Sequence, residues 1–155
     1  MIVRRGTSGE MRSTWYKKHT SEFFQDNMES GNAEFWTMED NGRLVGELYI
    51  FFHLTDQDFA DGETTAYLCA FRIAEELRGK GLGTMLMNRV LERLRETGFL
   101  YATIGVEPEE TANIRLYRRL GFRETIKMSG TDPCDVDSDF HPLACSEYML
   151  LRKSL

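Results

Sequence analysis

The amino-acid sequence predicts an α/β fold in which a mixed sheet carries helices on both faces. Three observations support this prediction: an Asn-Gly turn between two strand-like segments, a strand of nearly continuous apolar character, and an amphipathic helix that follows it. From that strand onward the segments alternate as strand, helix, strand, helix and strand. Such alternation favours helical crossovers, whereas the preceding hairpin adds antiparallel strands.

Length and composition place the chain among ordinary globular proteins. Its 155 residues suit a continuous core, and we predict a single domain over residues 1–155. Hydrophobic residues make up 41% and charged residues 28%, which is typical of folded domains and not of disordered or fibrous chains. The formal net charge of −6 argues against nucleic acid as a partner, because phosphates favour basic surfaces.

Cysteine usage and the absence of targeting signals indicate a reducing compartment. Cys69, Cys134 and Cys145 are an odd number without C-x-x-C spacing, and the histidines are scattered. We therefore expect neither a disulfide framework nor a metal site. No apolar stretch has the length of a signal peptide or a membrane span. The sequence thus predicts a cytoplasmic protein with no membrane partner.

The amino-terminal region predicts a short strand followed by helices. Residues 2–4 fit a short strand. Residues 15–19 and 23–27 fit one or two amphipathic helices, with Thr20 or Ser21 as a cap between them.

A hairpin is the clearest local prediction. Residues 33–40 and 43–53 are rich in aromatic and β-branched side chains. Asn41 and Gly42 between them tolerate the positive φ angles that a two-residue turn requires. The acidic residues 56–63 then predict a loop.

The second half predicts alternating strands and helices. Residues 64–73 form an apolar strand expected to be buried on both faces, and residues 82–94 form an amphipathic helix that ends at Gly98. The remaining elements, in order, are a strand over 99–106, a helix over 109–120, a strand over 122–127, an acidic loop over 129–144 that contains proline, and a strand over 147–151.

Residues 77–84 read Leu-Arg-Gly-Lys-Gly-Leu-Gly-Thr and join the buried strand to the amphipathic helix. Their glycines remove side chains that would keep a ligand from the backbone, and the amides at the helix start are suited to hold a pyrophosphate. The spacing fits neither a P-loop nor the dinucleotide pattern G-x-G-x-x-G. A tight turn that uses glycine only for chain reversal is the alternative.

This segment resembles the GNAT acetyltransferase family, whose motif is Arg or Gln, two residues, Gly, one residue, then Gly or Ala. Arg78, Gly81 and Gly83 match that motif, and Asn113, Tyr117 and the following Leu-Gly-Phe resemble the family's last helix and next strand. The resemblance is specific over residues 64–122, which it implies to be the coenzyme A-binding core. It also implies a mostly antiparallel sheet of six or seven strands, and an enzyme that moves an acetyl group from acetyl-coenzyme A to a primary amine.

The resemblance assigns residues to the cosubstrate. Backbone amides at the helix start would hold the pyrophosphate beside two basic side chains, a strand would pair with the pantetheine arm, and an amide side chain would face that arm. The amides are those of Gly81, Gly83 and Thr84, and the basic side chains are Arg78 and Lys80. The strand segment is Phe71, Arg72 and Ile73, the amide side chain is that of Asn113, and Gly79 completes the loop.

Tyr117 resembles the family's general acid. A free thiol titrates near ~8.5 and a tyrosine hydroxyl near ~10, so Tyr117 carries a proton that it can donate to the leaving sulfur. A core tyrosine bonded to a backbone carbonyl is the alternative. Several family members place a carboxylate on the strand before the glycine loop, but residues 65–71 contain none. Glu63 and Glu47 are candidate bases, and either could be a surface acid instead. Cys69 is expected to be buried and inert.

The acceptor is the least defined part of the prediction. The resemblance implies an acceptor pocket built from the early helices, the loop after the hairpin and the loop before the final strand. Two acidic loops near one mouth would attract a small cationic amine, acetylated by direct attack in a ternary complex. A protein or peptide acceptor, a non-catalytic acyl-coenzyme A-binding module, and plain solvated loops are the alternatives. A homodimer is common for such folds and stays open. The acidic residues are Asp56, Asp58, Asp61 and Glu63, then Asp132, Asp135, Asp137 and Asp139.

Overall fold

A computed structural model describes residues 1–11 and 17–155 of the chain. Within these residues it contains seven strands and three α-helices. The strands are β1 (Ile2–Arg5), β2 (Ala33–Asp40), β3 (Arg43–Phe51), β4 (Thr65–Ile73), β5 (Tyr101–Val106), β6 (Glu124–Val136) and β7 (Pro142–Ser154). The helices are α1 (Lys18–Glu29), α2 (Leu82–Glu96) and α3 (Thr111–Arg119).

The strands form one mixed, mostly antiparallel sheet. Their order is β1-β2-β3-β4-β5-β7-β6, and β4 with β5 is the parallel pair. The β2–β3 hairpin turns at Asn41 and Gly42, whose φ angles are 51° and 81°, as the Asn-Gly sequence predicts. The predicted fold class is therefore confirmed.

Helices cover both faces of the sheet, each over its own apolar core. On one face, α2 contributes a fully apolar stripe and α3 contributes Tyr117. On the other face, α1 contributes Phe24, which packs against Phe35, Tyr49 and Phe51. The α2 stripe follows the periodicity of the sequence and consists of Leu86, Met87, Val90, Leu91 and Leu94. None of the described helices is both long enough and apolar enough to cross a membrane.

Strand β4 carries a bulge near its carboxyl end. Between the pairs Glu47–Arg72 and Tyr49–Cys69, β3 advances by two residues while β4 advances by three. Ala70 lies in that interval with a φ of 53°, in the left-handed region. A non-glycine residue there costs about 1–2 kcal/mol, so the surrounding ladder must hold it in place.

The bulge reverses the faces to which later β4 side chains point. Before it, Tyr67 and Cys69 pack into the core under α1. After it, Phe71 and Ile73 pack against the core under α2. In an unbroken strand, residues two apart stay on one face, so the bulge moves two apolar side chains to the α2 face.

Strands β4 and β5 separate just before the bulge. Their parallel ladder runs from Thr65–Tyr101 to Leu68–Ile104 and stops there. Strand β4 continues to Ile73. The last residues of β4 therefore have a backbone edge that β5 does not occupy, and a wedge opens between the two strands.

The amino-terminal helix differs from its prediction. Helix α1 runs without interruption through Thr20 and Ser21, both buried, so neither residue is a cap between two helices. Its N-cap is Lys17. Thr20 lies inside the helix because its hydroxyl is used in a tertiary contact, a hydrogen bond to Oδ1 of Asp135 on β6 at 3.1 Å. Residues 15 and 16 of the predicted helix lie outside the described residues.

The predicted loop over 129–144 is wrong. Strands β6 and β7 occupy most of it and leave only residues 137–141 as the turn. The register of this hairpin shifts between Ser129 and Thr131 and again between Thr131 and Val136. These irregularities break the period-two alternation by which a strand is recognised in sequence, and they accommodate Pro133 within the strand.

A buried carboxylate joins the first strands to α2. Glu34 on β2 is 4% exposed. Its oxygens accept hydrogen bonds from Nε and Nη2 of Arg93 at 3.1 and 2.8 Å and from Nε1 of Trp36 at 3.0 Å. Arg5 on β1 adds an ion pair at 3.5 Å. Burial alone would raise the pKa of Glu34, but these hydrogen bonds and charges outweigh it and hold that pKa below its ordinary 4.5.

We expect Glu34→Gln to lower the free energy of unfolding by about 2 kcal/mol, because it removes the charge that Arg93 and Trp36 bond. A carboxylate whose folded pKa is depressed stabilises the fold above its unfolded pKa and loses that contribution as the pH falls. The variant should therefore show a flatter stability profile below about pH 4.5. Urea unfolding at several pH values measures both effects.

The matched control is Glu39→Gln on the same strand. Glu39 is ion-paired with Arg4 at 3.6 Å but is more exposed, so its loss should cost less than about 1 kcal/mol. Equal effects of the two variants would contradict the importance of the buried cluster.

Candidate active site

A cleft of about 610 Å³ lies where β4, the glycine loop, α2 and α3 meet. It is the place where the wedge between β4 and β5 opens toward α2. The sequence-predicted residues that line it are Phe71, Arg72, Ile73, Arg78, Gly79, Gly81, Gly83, Thr84, Asn113 and Tyr117; Leu77, Leu82, Leu116 and Arg119 complete the lining. The structure thus brings together most of the predicted cosubstrate site, while Lys80 lies outside the lining.

The bulge and the wedge shape one wall of the cleft. Phe71 and Ile73 face it because the bulge turns them to the α2 side. The backbone of the same segment is not paired with β5 beyond Leu68. An extended arm with amide groups could add to that edge by main-chain hydrogen bonds, as a strand does.

The glycine loop forms the opposite end of the cleft. Gly81 is the N-cap of α2 with a φ of 80°, and a Cβ built there would meet nothing within 4 Å. The first helical hydrogen bond runs from the Met85 amide to the Gly81 carbonyl at 3.1 Å, so the three preceding amides point out of the helix end. This open cradle of amides fits a pyrophosphate.

Close packing explains Gly83 in the same loop. A Cβ built on it would lie 3.1 Å from Cζ of Phe71. The missing side chain lets the first turn of α2 approach β4 directly. The phosphate loop therefore lies close to the unpaired strand edge.

The cleft is basic although the whole chain is acidic. Arg78 and Arg119 line it, and the net charge of the chain is −6; Arg72 also lines it, but its guanidinium faces Glu47 on the α1 side. Arg78 is anchored by a hydrogen bond from its Nε to the Ile73 carbonyl at 3.1 Å. This arrangement suits a ligand that carries several phosphates.

Tyr117 lies on α3 and faces the cleft between the two ends. It is 7% exposed and packs against Phe71 and Phe122, with ring centroids 6.5 and 6.3 Å away. Its hydroxyl makes no hydrogen bond with the described part of the chain. Burial, with a smaller contribution from the charge of Glu110, raises the pKa of Tyr117 to about 12. The hydroxyl is therefore protonated across the physiological range and available to a ligand.

The two predicted bases lie in different places. Glu63 is exposed and precedes the amino end of β4. At 3.3 Å per residue, it lies about 25 Å along the strand from the bulge. The structure does not bring Glu63 together with the other site residues. Glu47 on β3 is 2% exposed, and its Oε1 lies 3.7 Å from Nη1 of Arg72, on the α1 face beside the bulge.

The acidic side chains of the two loops contact different partners. Asp56 and Asp58 bind the ammonium of Lys127, at the start of β6, at 2.7 and 3.0 Å. Asp135, near the far end of β6, accepts a hydrogen bond from Thr20 of α1 at 3.1 Å. The first loop therefore contacts Lys127 and the second contacts α1. These contacts depend on the position of β6 in the sheet, which the local sequence does not reveal.

A polar cluster on the α1 face was not found by sequence reasoning. Tyr67 on β4 donates a hydrogen bond to Oδ1 of Asp132 on β6 at 3.2 Å. Its hydroxyl also lies 2.8 Å from that of Tyr148 on β7. Cys69 and Cys134 are buried beside them, and burial raises the pKa of both thiols, as expected for inert cysteines. The cluster joins β4 to the β6–β7 hairpin, 65 residues further along the chain, and no spacing pattern marks it.

The turn of the β6–β7 hairpin gathers Asp137, Asp139 and His141, with potential ligand atoms within 4.8 Å of one another. Oδ1 of Asp137 accepts hydrogen bonds from the backbone amides of Asp139 and His141 at 2.9 and 3.0 Å. These bonds close the turn and account for the grouping without a metal.

Comparison with known proteins agrees with this geometry. The profile of the Acetyltransferase (GNAT) family matches residues 3–122, which is more than half of the chain. The chain belongs to the GNAT acetyltransferase family. A solved GNAT acetyltransferase from Elizabethkingia anophelis with acetyl-coenzyme A bound superposes with a TM-score of 0.72 at 16% identity, over 99% of this chain and 97% of that one.

Two curated relatives are similar in sequence to this GNAT protein. An uncharacterised N-acetyltransferase of Bacillus subtilis, YdgE, is 28% identical over 121 residues, covering 72% of this chain and 74% of the relative. The mycothiol acetyltransferase of Thermobifida fusca is 30% identical over 82 residues, which cover 53% of this chain. That match spans a quarter of the length of the mycothiol enzyme.

We expect Gly81→Glu to weaken acetyl-coenzyme A binding by about 10²-fold or more, because juxtaposed like charges cost several kcal/mol. Isothermal titration measures the affinity. Gly31→Glu is the matched control, since Gly31 has a φ of 82°, has no atom within 4 Å of a built Cβ, and lies after α1. Both variants carry the same backbone strain and charge, so equal binding by the two would contradict the phosphate cradle, as would equal competition by ATP.

Proposed function

We propose that this GNAT acetyltransferase moves the acetyl group of acetyl-coenzyme A to a primary amine on a small cationic molecule, by direct attack in a ternary complex. The observation that carries the proposal is the position of Tyr117. Its hydroxyl faces the same cleft as the phosphate cradle and the unpaired edge of β4. The cleft of this chain therefore joins a place for the cosubstrate to a proton donor.

Different residues of the cleft would bind different parts of acetyl-coenzyme A. The amides at the start of α2 and the side chains of Arg78 and Arg119 would neutralise the phosphates. The β4 segment Phe71 to Ile73 would pair with the pantetheine amides, and Asn113, exposed on α3, would face that arm. These contacts hold the thioester at the wedge, where an amine can approach from the α1 face.

Chemistry requires one proton donor and one proton acceptor. Attack by the amine nitrogen forms a C–N bond, breaks the C–S bond and releases a thiolate. Tyr117 keeps its proton because burial raises its pKa to about 12, and it can protonate or hydrogen-bond the sulfur. The amine must lose a proton to a base on its own side of the sheet. Glu47 is the sequence-predicted candidate on that face, whereas Glu63 has no part in the proposal.

Charge on the α1 side favours a cationic acceptor. The turn of the β6–β7 hairpin extends beside α1 and exposes Asp139, with Asp137 half-buried. The His141 and Asp139 amides hold the pKa of Asp137 below its ordinary value, so this carboxylate stays ionised in weak acid. Ionised carboxylates around an entrance raise the local concentration of cations.

We expect Tyr117→Phe to lower kcat by about 10²–10⁴-fold, the usual contribution of a positioned proton donor. Acetyl-coenzyme A affinity should change little, because the phenylalanine ring keeps the packing against Phe71. A thiol-release assay measures kcat, and isothermal titration calorimetry measures the affinity for acetyl-coenzyme A. Tyr101→Phe, on β5 with its ring under Arg152, is the control and should keep the wild-type rate. An unchanged kcat in Tyr117→Phe would remove this residue from the acid role.

The acceptor class is tested by thiol release with polyamines, aminoglycosides, amino acids and peptides with free amino termini. We expect polyamines or aminoglycosides to accelerate release, and high salt to raise KM because it screens the carboxylates. Preferential acceleration by peptides would replace the small-molecule proposal. Tight acetyl-coenzyme A binding with no acceleration by any amine would indicate a binding module and contradict the proposed activity.

A further inference from the structure

The polar cluster of Tyr67, Asp132 and Tyr148 lies directly over the wedge. Tyr67 belongs to β4, one residue before the ladder with β5 ends at Leu68. The ring of Tyr148 covers Gly105 of β5, since a Cβ built on Gly105 would lie 2.1 Å from Cε1 of that ring. The contact between the two hydroxyls at 2.8 Å therefore spans the line along which β4 and β5 part.

The cluster has a buried centre and accessible ends. Tyr67 is fully buried, with 0% exposure. Tyr148 and Asp132 are each only partly buried. A small molecule on the α1 face could therefore reach Tyr148, and solvent could reach Asp132, without access to the tyrosine between them.

The hydrogen bonds of this cluster can run in one continuous direction, from Tyr148 through Tyr67 to Asp132. An ionised Asp132 can only accept, so the Tyr67 hydroxyl donates to it, as the 3.2 Å contact shows. The oxygen of Tyr67 can then accept the proton of Tyr148, because either hydroxyl can donate in their 2.8 Å contact. That direction leaves the Tyr148 oxygen with lone pairs and no proton facing outward, which suits an N–H donor such as an ammonium group.

We propose that Tyr148 is the group that contacts the acceptor amine, and that the amine's proton passes through Tyr148 and Tyr67 to Asp132. This inference rests on the proposed acetyl transfer and names its missing base. Tyr148 is a catalytic residue in this scheme, Asp132 is the proton acceptor behind it, and Tyr67 is a positioning and relay residue.

The proton transfers balance along the chain. The nitrogen gives a proton to the Tyr148 oxygen as the Tyr148 proton moves to Tyr67 and the Tyr67 proton moves to Asp132. Both tyrosines end neutral, the amine or its attack intermediate has lost one proton, and Asp132 has become a carboxylic acid. On the other side of the sheet the departing sulfur receives a proton from Tyr117. Solvent then removes the proton from Asp132 and restores that of Tyr117.

The surroundings of Asp132 favour this role. Burial is the main cause that raises the pKa of Asp132 above its usual 3.8, which makes its carboxylate a stronger proton acceptor. Burial also raises the pKa of Tyr67 and Tyr148, so both keep their protons. The titratable or charged groups around Asp132 are Tyr67 and Cys69 from β4, Cys134 and Asp135 from β6, Cys145 and Tyr148 from β7, and Lys17 beside Asp135 at the start of α1.

Glu47 is less well placed for the same task. It lies on β3, beside β4, and its carboxylate faces the guanidinium of Arg72 at 3.7 Å. The Tyr148 hydroxyl, in contrast, lies above the separation of β4 and β5 itself. We therefore assign the base to Asp132 and not to Glu47.

The test is the pH–rate profile of kcat/KM with the best amine, in wild type, Asp132→Asn, Tyr148→Phe and Asp132→Glu. We expect the first two variants to lose about 10²-fold or more in kcat and to lose the acidic limb that wild type shows. Asp132→Glu should keep that limb and part of the rate. Acetyl-coenzyme A affinity should stay within about twofold of wild type in all three, which shows that the cleft is folded.

The controls are Asp26→Asn, exposed on α1, and Tyr101→Phe on β5, which make the same chemical changes away from the cluster. The relay would be overturned if Asp132→Asn and Tyr148→Phe kept the wild-type rate and the acidic limb of the profile. If Tyr117→Phe were slow in the same assay, the proposed function would still stand. Loss of the acidic limb only in Glu47→Gln would assign the base to Glu47 and also overturn the relay. If no amine is acetylated by wild type, the proposed function fails and the relay fails with it.

Discussion

The site depends on one backbone constraint, the bulge that breaks the β3–β4 ladder around Ala70. It places a non-glycine residue at a φ of 53°, and the ladder on both sides must offset that cost. Because of the bulge, Phe71 and Ile73 face α2 while Tyr67 and Cys69 face α1. The same segment leaves the β5 ladder, so strand edge, cleft wall and wedge share one origin. Without the bulge, a straight β4 would leave neither the free strand edge, nor the cleft wall, nor the wedge.

The sheet therefore separates the two halves of the proposed reaction. The α2 face holds the phosphate cradle, Arg78, Arg119 and Tyr117, and it is basic. The α1 face holds Glu47, Asp132 and the acidic hairpin turn. Opposite charge on opposite faces lets a polyanionic cosubstrate and a cationic acceptor approach the wedge from different sides without competing for the same groups. The net charge of the chain is −6, yet arginine side chains line this cleft.

Local signals in the sequence predicted one face of the site well and the other poorly. The glycines between β4 and α2, and Asn113 with Tyr117 one turn apart on α3, lie close in sequence, so their spacing carries their geometry. The relay joins Tyr67, Asp132 and Tyr148, which only the pairing of β4, β5, β7 and β6 brings together. Irregular register in β6 also hid that strand, since bulges destroy the alternation on which recognition depends. Tertiary pairing, and not local propensity, decides that part of the molecule.

The contact between Tyr148 and Gly105 has a consequence for the history of the fold. The ring occupies the volume that any side chain at position 105 would fill. A relative that gains even a methyl group there must shed the large ring from β7 or shift the strand that carries it. The two positions should therefore change together across descendants of a common ancestor, and a lineage that keeps the glycine retains the option of a tyrosine over the wedge.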